Sequence, residues 1–329
     1  MKAIRYTQYG SPDVLELKEV EKPAPKDDEV LIKVHASSAN PLDWHLMRAT
    51  PFLARLENGL RNPKNSKLGA DVAGRVEAVG SSVTQFQVGD GVFGSQYLNV
   101  LGGFAEYVCF PESLLALIPV NSSFEDAAAV PIAAFTALQG LRNKGHIQQG
   151  QKVLINGASG GVGTFAVQIA KAFGAEVTGV CSTQNVDMVR SIGADHVIDY
   201  TQEDFTHNGQ RYDLIFDAVG NLSVSDYQRA LTPNGIASVA GFTALSRLFQ
   251  VIFLGAWVSM TGSQKIGLMD TAKPNQPDLV FIKGLLEAGK VKPVIDRCYS
   301  LSQVPDAIRY LEAGHARGKV VITVAQENK

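Results

Sequence analysis

Lys152-Val-Leu-Ile-Asn156, Gly157-Ala-Ser-Gly-Gly-Val-Gly163 and Thr164–Phe173 together decide the fold. An apolar run meets a glycine-rich turn. Helical spacing follows, with Val162, Phe165, Ala166, Ile169, Ala170 and Phe173 recurring on one face. A strand, turn and helix in this order can seat a pyrophosphate on the free N–H groups of the helix N-terminus, because glycines let the backbone approach it. The spacing reads Ala158-x-Gly160-x-x-Gly163, so alanine stands where the usual fingerprint has its first glycine. Ser159, Gly160, Gly161 and Val162 are the expected phosphate contacts. The competing reading is a turn whose glycines serve tight packing alone.

The following sequence favours the nucleotide reading. Glu176–Val180, His196–Ile198, Tyr212–Val219 and Gly235–Ala240 read as strands, and Asn185–Ile192 and Val224–Leu231 as helices between them. Strands alternating with helices imply right-handed crossovers and a doubly wound parallel sheet. Sheets that select NAD hold an acid at the tip of the second strand, about 20 residues past the first glycine. Here the tip reads Val180-Cys-Ser-Thr-Gln-Asn185, with no acid, and Glu176 comes too early. Ser182 and Thr183 can donate to a 2′-phosphate that a carboxylate would repel, which points to NADPH; alternatively they only start a turn.

The 329 residues suit two domains. A hydrophobic content of 45% supports a large core, and a net charge of −2 implies no nucleic-acid or acidic-lipid partner. Met1-Lys-Ala-Ile-Arg-Tyr6 has no signal-peptide core, and the longest apolar run, Leu248–Met260, is too short for a membrane span. Three separated cysteines, Cys109, Cys181 and Cys298, give no disulfide framework, so a cytoplasmic location is expected.

Residues 1–122 differ in character. Short alternating segments such as Glu29–Ala36 and Gly74–Val79 are broken by Pro23, Pro25, Pro41, Gly80 and Gly89, as in a compact β-rich domain. Phe124–Asn143 reads as a helix kinked at Pro131, Val304–Ala313 as a helix, and Gly318–Val324 as a strand returning to the first domain. Phe52–Lys67 reads as a polar loop. The expected domains are 1–122 plus 290–329, and 123–289. Val251–Met260, apolar and partly β-prone, reads as an exposed edge strand.

Ordered motifs then carry a resemblance over essentially the whole chain. They are Asn40-Pro-Leu-Asp43, Leu68-Gly-Ala-Asp-Val-Ala-Gly74, Val88-Gly-Asp-Gly-Val92, Gly103-Phe-Ala-Glu-Tyr107, Pro131-Ile-Ala-Ala-Phe-Thr-Ala137, Gly157–Gly163, Gly193-Ala-Asp-His-Val-Ile-Asp-Tyr200, Phe216-Asp-Ala-Val-Gly220 and Gly318-Lys-Val-Val-Ile322. The sequence resembles the zinc-independent quinone oxidoreductase and enone reductase branch, zeta-crystallin-like, of the medium-chain dehydrogenase/reductase superfamily. The resemblance implies an α/β protein with an N-terminal β-rich GroES-like catalytic domain and a Rossmann NADP-binding domain. It also implies a homodimer paired through nucleotide-domain edges, and a small quinone or enone as substrate. In zinc-bearing relatives a cysteine stands near Asn40 and Gly-His-Glu stands where Gly69-Ala-Asp71 does, so no metal site is expected. Asp71 alone reads as a turn or cap residue. Without a Lewis acid, an alkoxide lacks a stabiliser, whereas a conjugated acceptor spreads the charge that hydride brings.

The resemblance places Asn40 and Asp43 near the nicotinamide. Asn40 either donates to the substrate carbonyl or forms the turn before Pro41, and Asp43 either takes part or orients the loop. His45 stands where many enone reductases carry lysine; it either replaces that donor or is structural. Thr136 beside the nicotinamide, Tyr200 at the adenosine phosphate, and Gly241 and Phe242 at a strand end complete the expected cofactor site, in the cleft between domains. Lys319 either approaches the cofactor or ends a turn. His35, His146, His196, His207 and His315 read as structural. Two other functions compete: reduction of enoyl thioesters, and a non-catalytic NADPH-binding sensor or structural protein. A short-chain dehydrogenase is excluded, because the chain has no Tyr-x-x-x-Lys.

Overall fold

Valine and isoleucine recur along Glu29–Ala39, and the chain there forms one long strand, nearly all of it buried. The computed structural model describes residues 1–50, 55, 58–96 and 100–324, which divide into two units. The first contains Met1–Ile132, Lys273–Glu287 and Pro293–Lys329. Its strands begin with β1 (Lys2–Arg5), β2 (Glu16–Glu19), β3 (Glu29–Ala39), β4 (Asp71–Val79), β5 (Gly91–Ser95), β6 (Tyr107–Pro111) and β7 (Leu115–Leu117). The second unit contains Ala133–Ala272 and Ala288–Lys292. It holds β8 (Lys152–Asn156), β9 (Glu176–Cys181), β10 (His196–Asp199), β11 (Tyr212–Asp217), β12 (Leu231–Val239) and β13 (Lys265–Leu268). Finally β14 (Ile295–Ser300) and β15 (Lys319–Thr323) return to the first unit.

In the first unit seven strands form a sheet ordered β14-β15-β3-β4-β5-β7, with β6 also paired to β3. β3 runs antiparallel to β4 along one edge and to β6 and then β15 along the other, so both edges are paired, and the side chains on its faces fill two clusters. Val30, Ile32 and Val34 pack with Val72, Val92 and Phe110; Ala39 packs with Met47, Phe104 and Ile308.

The second unit is a six-stranded parallel sheet, ordered β10-β9-β8-β11-β12-β13. Strand order reverses between β8 and β11, the switch point at which such sheets bind ligands outside their carboxyl ends. The helix Gly161–Ala172 is buried on more than the single face its apolar period marks. Thr164, Val167 and Gln168 are also buried, and the Gln168 amide exchanges hydrogen bonds with the Lys292 backbone.

Several expectations change. Val251–Met260 is helical, part of a helical path over residues 245–261, and the sheet edge is the short β13. Phe249, Phe253, Trp257 and Met260 recur at intervals of a helical turn, and that period outweighs the β-branched residues among them. The division between units falls after Ile132 rather than after 122, because the helix Phe124–Ala128 packs on β3 and β4. Lys273–Glu287 also belongs to the first unit: its helix Gln276–Glu287 lies against β7, and Gln276 Nε2 donates to the Leu115 carbonyl at 3.1 Å. The expected kink at Pro131 is a break between the helices Phe124–Ala128 and Pro131–Gln139. Of the expected loop 52–67, residues 52–54, 56 and 57 lie outside the described residues, Arg55 and Asn58 are helical, against the expectation, and 59–67 carry neither helix nor strand. Among the described residues no helix is long and apolar enough to cross a membrane.

Candidate active site and dinucleotide loop

Register brings three strand ends of the first unit together. Ser38 at the end of β3 pairs with Asp71 at the start of β4, and Ala39 pairs with Val320 in β15. One antiparallel step further sets Asn40 opposite Lys319. There the Lys319 ammonium donates to Asn40 Oδ1 and lies 3.7 Å from Asp71 Oδ2. Asn40 Nδ2 donates to Asp71 Oδ2 at 3.0 Å and to the Ser38 carbonyl at 3.1 Å. Asp71 also accepts from Ser38 Oγ at 2.6 Å and from the Ile132 N–H at 2.9 Å. The lysine is 3% exposed and Asp71 fully buried. Burial lowers the Lys319 pKa, and the Asp71 and Asp43 carboxylates oppose that shift.

Asn40 precedes the helix Pro41–Arg48, with Pro41 in the first turn, where no N–H partner is required. Asp43 accepts from the Asn40 N–H at 2.8 Å and from the Gly69 N–H at 2.8 Å, so its two oxygens bind the helix start to the loop before β4. Burial is the main reason its pKa rises to about 7, against the pull of those two N–H groups. His45 pairs its Nδ1 with the Thr50 carbonyl at 2.8 Å and stacks on Trp44; burial lowers its pKa. Asn40 and Asp43 thus share one cluster with Lys319 and Asp71, while His45 pairs at the far end of its helix.

In the second unit Gly160 caps the helix Gly161–Ala172. A Cβ at Gly163 would stand 2.0 Å from the Gly157 carbonyl oxygen, so the turn closes only with glycine there. Ser159, Gly161 and Val162 are half-buried around this turn. Ser182 and Thr183 follow β9, and Tyr200, 62% exposed, follows β10. Gly241 and Phe242 follow β12, where a Cβ on Gly220 would meet the Gly241 oxygen at 1.9 Å. The loops after β11 and β12 therefore lie backbone against backbone. Thr136 is half-buried on the helix Pro131–Gln139.

Several polar residues at this edge were not singled out from the sequence. Asp217 is fully buried and accepts from Asn156 Nδ2, the Val219 and Gly220 N–H groups and the Tyr227 hydroxyl. Burial raises its pKa, and the network shapes the loop after β11. Asp199 ends β10 beside the β9 tip and accepts the Thr183 hydroxyl at 2.5 Å, which holds its pKa below the usual carboxylate range. An acid therefore does stand at the tip, supplied by the neighbouring strand. Parallel register, which pairs Asp199 with Cys181, was the signal.

A glycine cradle, a half-buried helix N-terminus and strand-end loops at the switch point fit a dinucleotide. With the β-rich unit they define a nicotinamide-dependent oxidoreductase. Residues 26–120 match the alcohol dehydrogenase GroES-like domain, and residues 192–322 the zinc-binding dehydrogenase family. The chain is 38% identical to a tomato (Solanum lycopersicum) 2-methylene-furan-3-one reductase, covering 98% of this chain and 79% of that one. It is 36% identical to an Arabidopsis thaliana NADPH-dependent alkenal/one oxidoreductase, again over 98% and 79%. The structure of a quinone oxidoreductase from Coxiella burnetii superposes with a TM-score of 0.85 at 31% identity, covering 99% of both chains. The chain belongs to the quinone and enone reductase branch of the medium-chain dehydrogenase/reductase superfamily, an oxidoreductase that uses NAD(P)H. Among the described residues no three His, Cys, Asp or Glu side chains are grouped to hold a metal.

Proposed function

We propose that the protein reduces quinones or α,β-unsaturated carbonyls with NADPH and without zinc. The observation that carries this is the Lys319 ammonium, buried against Asn40 and Asp71. A fixed cation there opposes entry of a divalent one, and a neutral amide stands in place of a thiolate. Lacking a Lewis acid, the site suits an acceptor that delocalises charge. The alkenal/one oxidoreductase and furanone reductase named above support the enone class.

Bound NADPH would supply the hydride. Gly160, Gly161 and the helix N-terminus would hold its pyrophosphate, with Ser159, Val162 and Thr136 beside it. Ser182 and Tyr200 would face the adenosine phosphate, and Gly241 and Phe242 would line the strand end. Thr183 is a weaker candidate, because its hydroxyl proton is committed to Asp199. Asn40 would donate to the acceptor oxygen by giving up its longer bond, to the Ser38 carbonyl. Asp43 would keep that amide at the helix start. His45 would act only after leaving Thr50. With Lys319 behind it, Asn40 carries a dipole oriented to donate, and one such donor is worth about 3 kcal/mol, on the order of a hundredfold in rate.

A test is turnover of NADPH against quinones, enals and enoyl thioesters, with label from NADPH deuterated at the transferred position expected on the β-carbon of an enone product. Asn40→Ala should lower kcat far more than it weakens NADPH binding. Absence of turnover with every acceptor would overturn the reading in favour of a sensor. We further place the protein in the cytoplasm, as its three cysteines are unpaired. It is proposed to form a homodimer through the exposed Phe249, Phe253, Trp257 and Met260. A monomer by light scattering would refute the assembly.

A further inference from the structure

Asn185 lies in the short helical turn after β9 and is 8% exposed. Its Nδ2 donates to Ser182 Oγ at 3.1 Å and to Ser159 Oγ at 3.2 Å. One buried amide thus joins the strand tip to the glycine-rich turn. Its Oδ1 is buried without a hydrogen-bond partner. The carbonyl oxygen therefore takes neither serine hydrogen, and both hydrogens of the amide are given to the two serines.

A serine hydroxyl that accepts from an amide keeps its own hydrogen to give. Ser159 and Ser182 are both half-buried, and among the described residues neither hydroxyl donates to a protein acceptor. Thr183, next in sequence, is the opposite case. It gives its hydrogen to Asp199, whose other oxygen accepts from the Thr201 hydroxyl and N–H. The tip therefore carries one unspent hydroxyl, one spent hydroxyl and a carboxylate. Preference for a 2′-phosphate at this place has to overcome the Asp199 charge with neutral donors.

We infer that Asn185 is the positioning residue for phosphate recognition: by donating to both serines it keeps the Ser182 hydrogen for the adenosine 2′-phosphate and the Ser159 hydrogen for the pyrophosphate. This rests on the NADPH reading above and adds the residue that sets the preference. Were the amide turned the other way, Oδ1 would take both serine hydrogens and leave no donor for phosphate.

The test is a double-mutant cycle read by calorimetric titration with 2′,5′-ADP and with 5′-AMP, fragments that differ at the 2′-position and need no turnover. Ser182→Ala should weaken 2′,5′-ADP about tenfold in the parent, about 1.4 kcal/mol, and leave 5′-AMP unchanged. Asn185→Ala should weaken 2′,5′-ADP to a similar degree, and adding Ser182→Ala to it should cost less than about twofold more. Asn185→Asp, nearly the same shape, should abolish the preference, since a carboxylate takes both serine hydrogens. Melting temperatures of the variants report whether the unit remains folded. Additive losses, or an Asn185→Ala protein that keeps the parent ratio, would overturn the inference alone. A parent that binds both fragments equally would overturn the NADPH reading along with it.

Discussion

Replacing Lys319 with methionine removes the buried cation while keeping most of the side-chain volume. At 3.7 Å from Asp71 the attraction is about 4.5 kcal/mol for an effective dielectric constant of about 20. Breaking a buried pair by removing one partner costs roughly 3–5 kcal/mol, because the surviving charge is stranded. Asp71 retains donors in Ser38, Asn40 and Ile132, which puts the expected loss near the lower bound, about 3 kcal/mol. For a unit of this size that lowers the melting temperature by roughly 6–12 °C. Scanning calorimetry of the cofactor-free protein measures it. Asp71→Asn in the Lys319→Met background neutralises the stranded carboxylate and should restore part of the loss. A Lys319→Met protein melting within about 2 °C of the parent, or a double variant whose losses add, would refute the reasoning.

Gly163→Ala drives a Cβ to 2.0 Å from the Gly157 oxygen, and the displaced turn should weaken NADPH binding at least about a hundredfold, about 2.7 kcal/mol, by fluorescence titration. Asp43 has its pKa raised to about 7 by burial, against about 3.9 unfolded, so its contribution to stability is full below about pH 4 and is lost as pH rises through about 7. Parent stability minus Asp43→Asn stability, from urea melts, should fall across that window; a flat difference would contradict the assignment. NADPH should bind at least about tenfold more tightly than NADH, about 1.4 kcal/mol, and Ser182→Asp should narrow or reverse this, with equal parent affinities counting against it. Purified protein should hold no stoichiometric zinc by elemental analysis and keep its activity in EDTA.

The nucleotide half was legible because its signals are local. Glycines at 157, 160, 161 and 163, an apolar strand before them and a helical period after them lie within one short stretch. The polar cluster was not legible in the same way. Asn40, Asp71 and Lys319 meet through antiparallel register across distant parts of the chain, and nothing near Asp71 announces that its partner is Lys319. Asp71 read alone looks like a cap, and becomes half of an ion pair only when β3, β4 and β15 are side by side. The strand-tip reading was incomplete in a different way. It sought an acid along β9, whereas the acid arrives from β10 through a parallel neighbour. Val251–Met260 was misread because β-branched Val251, Ile252 and Val258 suggest a strand, while the helical period, carried by Phe249, Phe253, Trp257 and Met260, begins before that segment.

The return of β14 and β15 to the first unit has a consequence for synthesis on the ribosome. A nascent chain that has reached residue 272 contains nearly all of the second unit, which can fold as it emerges. The first unit at that moment has Asp43 and Asp71 but lacks both β15, which pairs with the end of β3, and the lysine beside those carboxylates. β3 then has a bare edge along Ala36–Ala39, open to pairing with other chains until β15 arrives. The half that begins first in the chain is therefore completed last, and the interval between residues 132 and 319 is its window of exposure to aggregation.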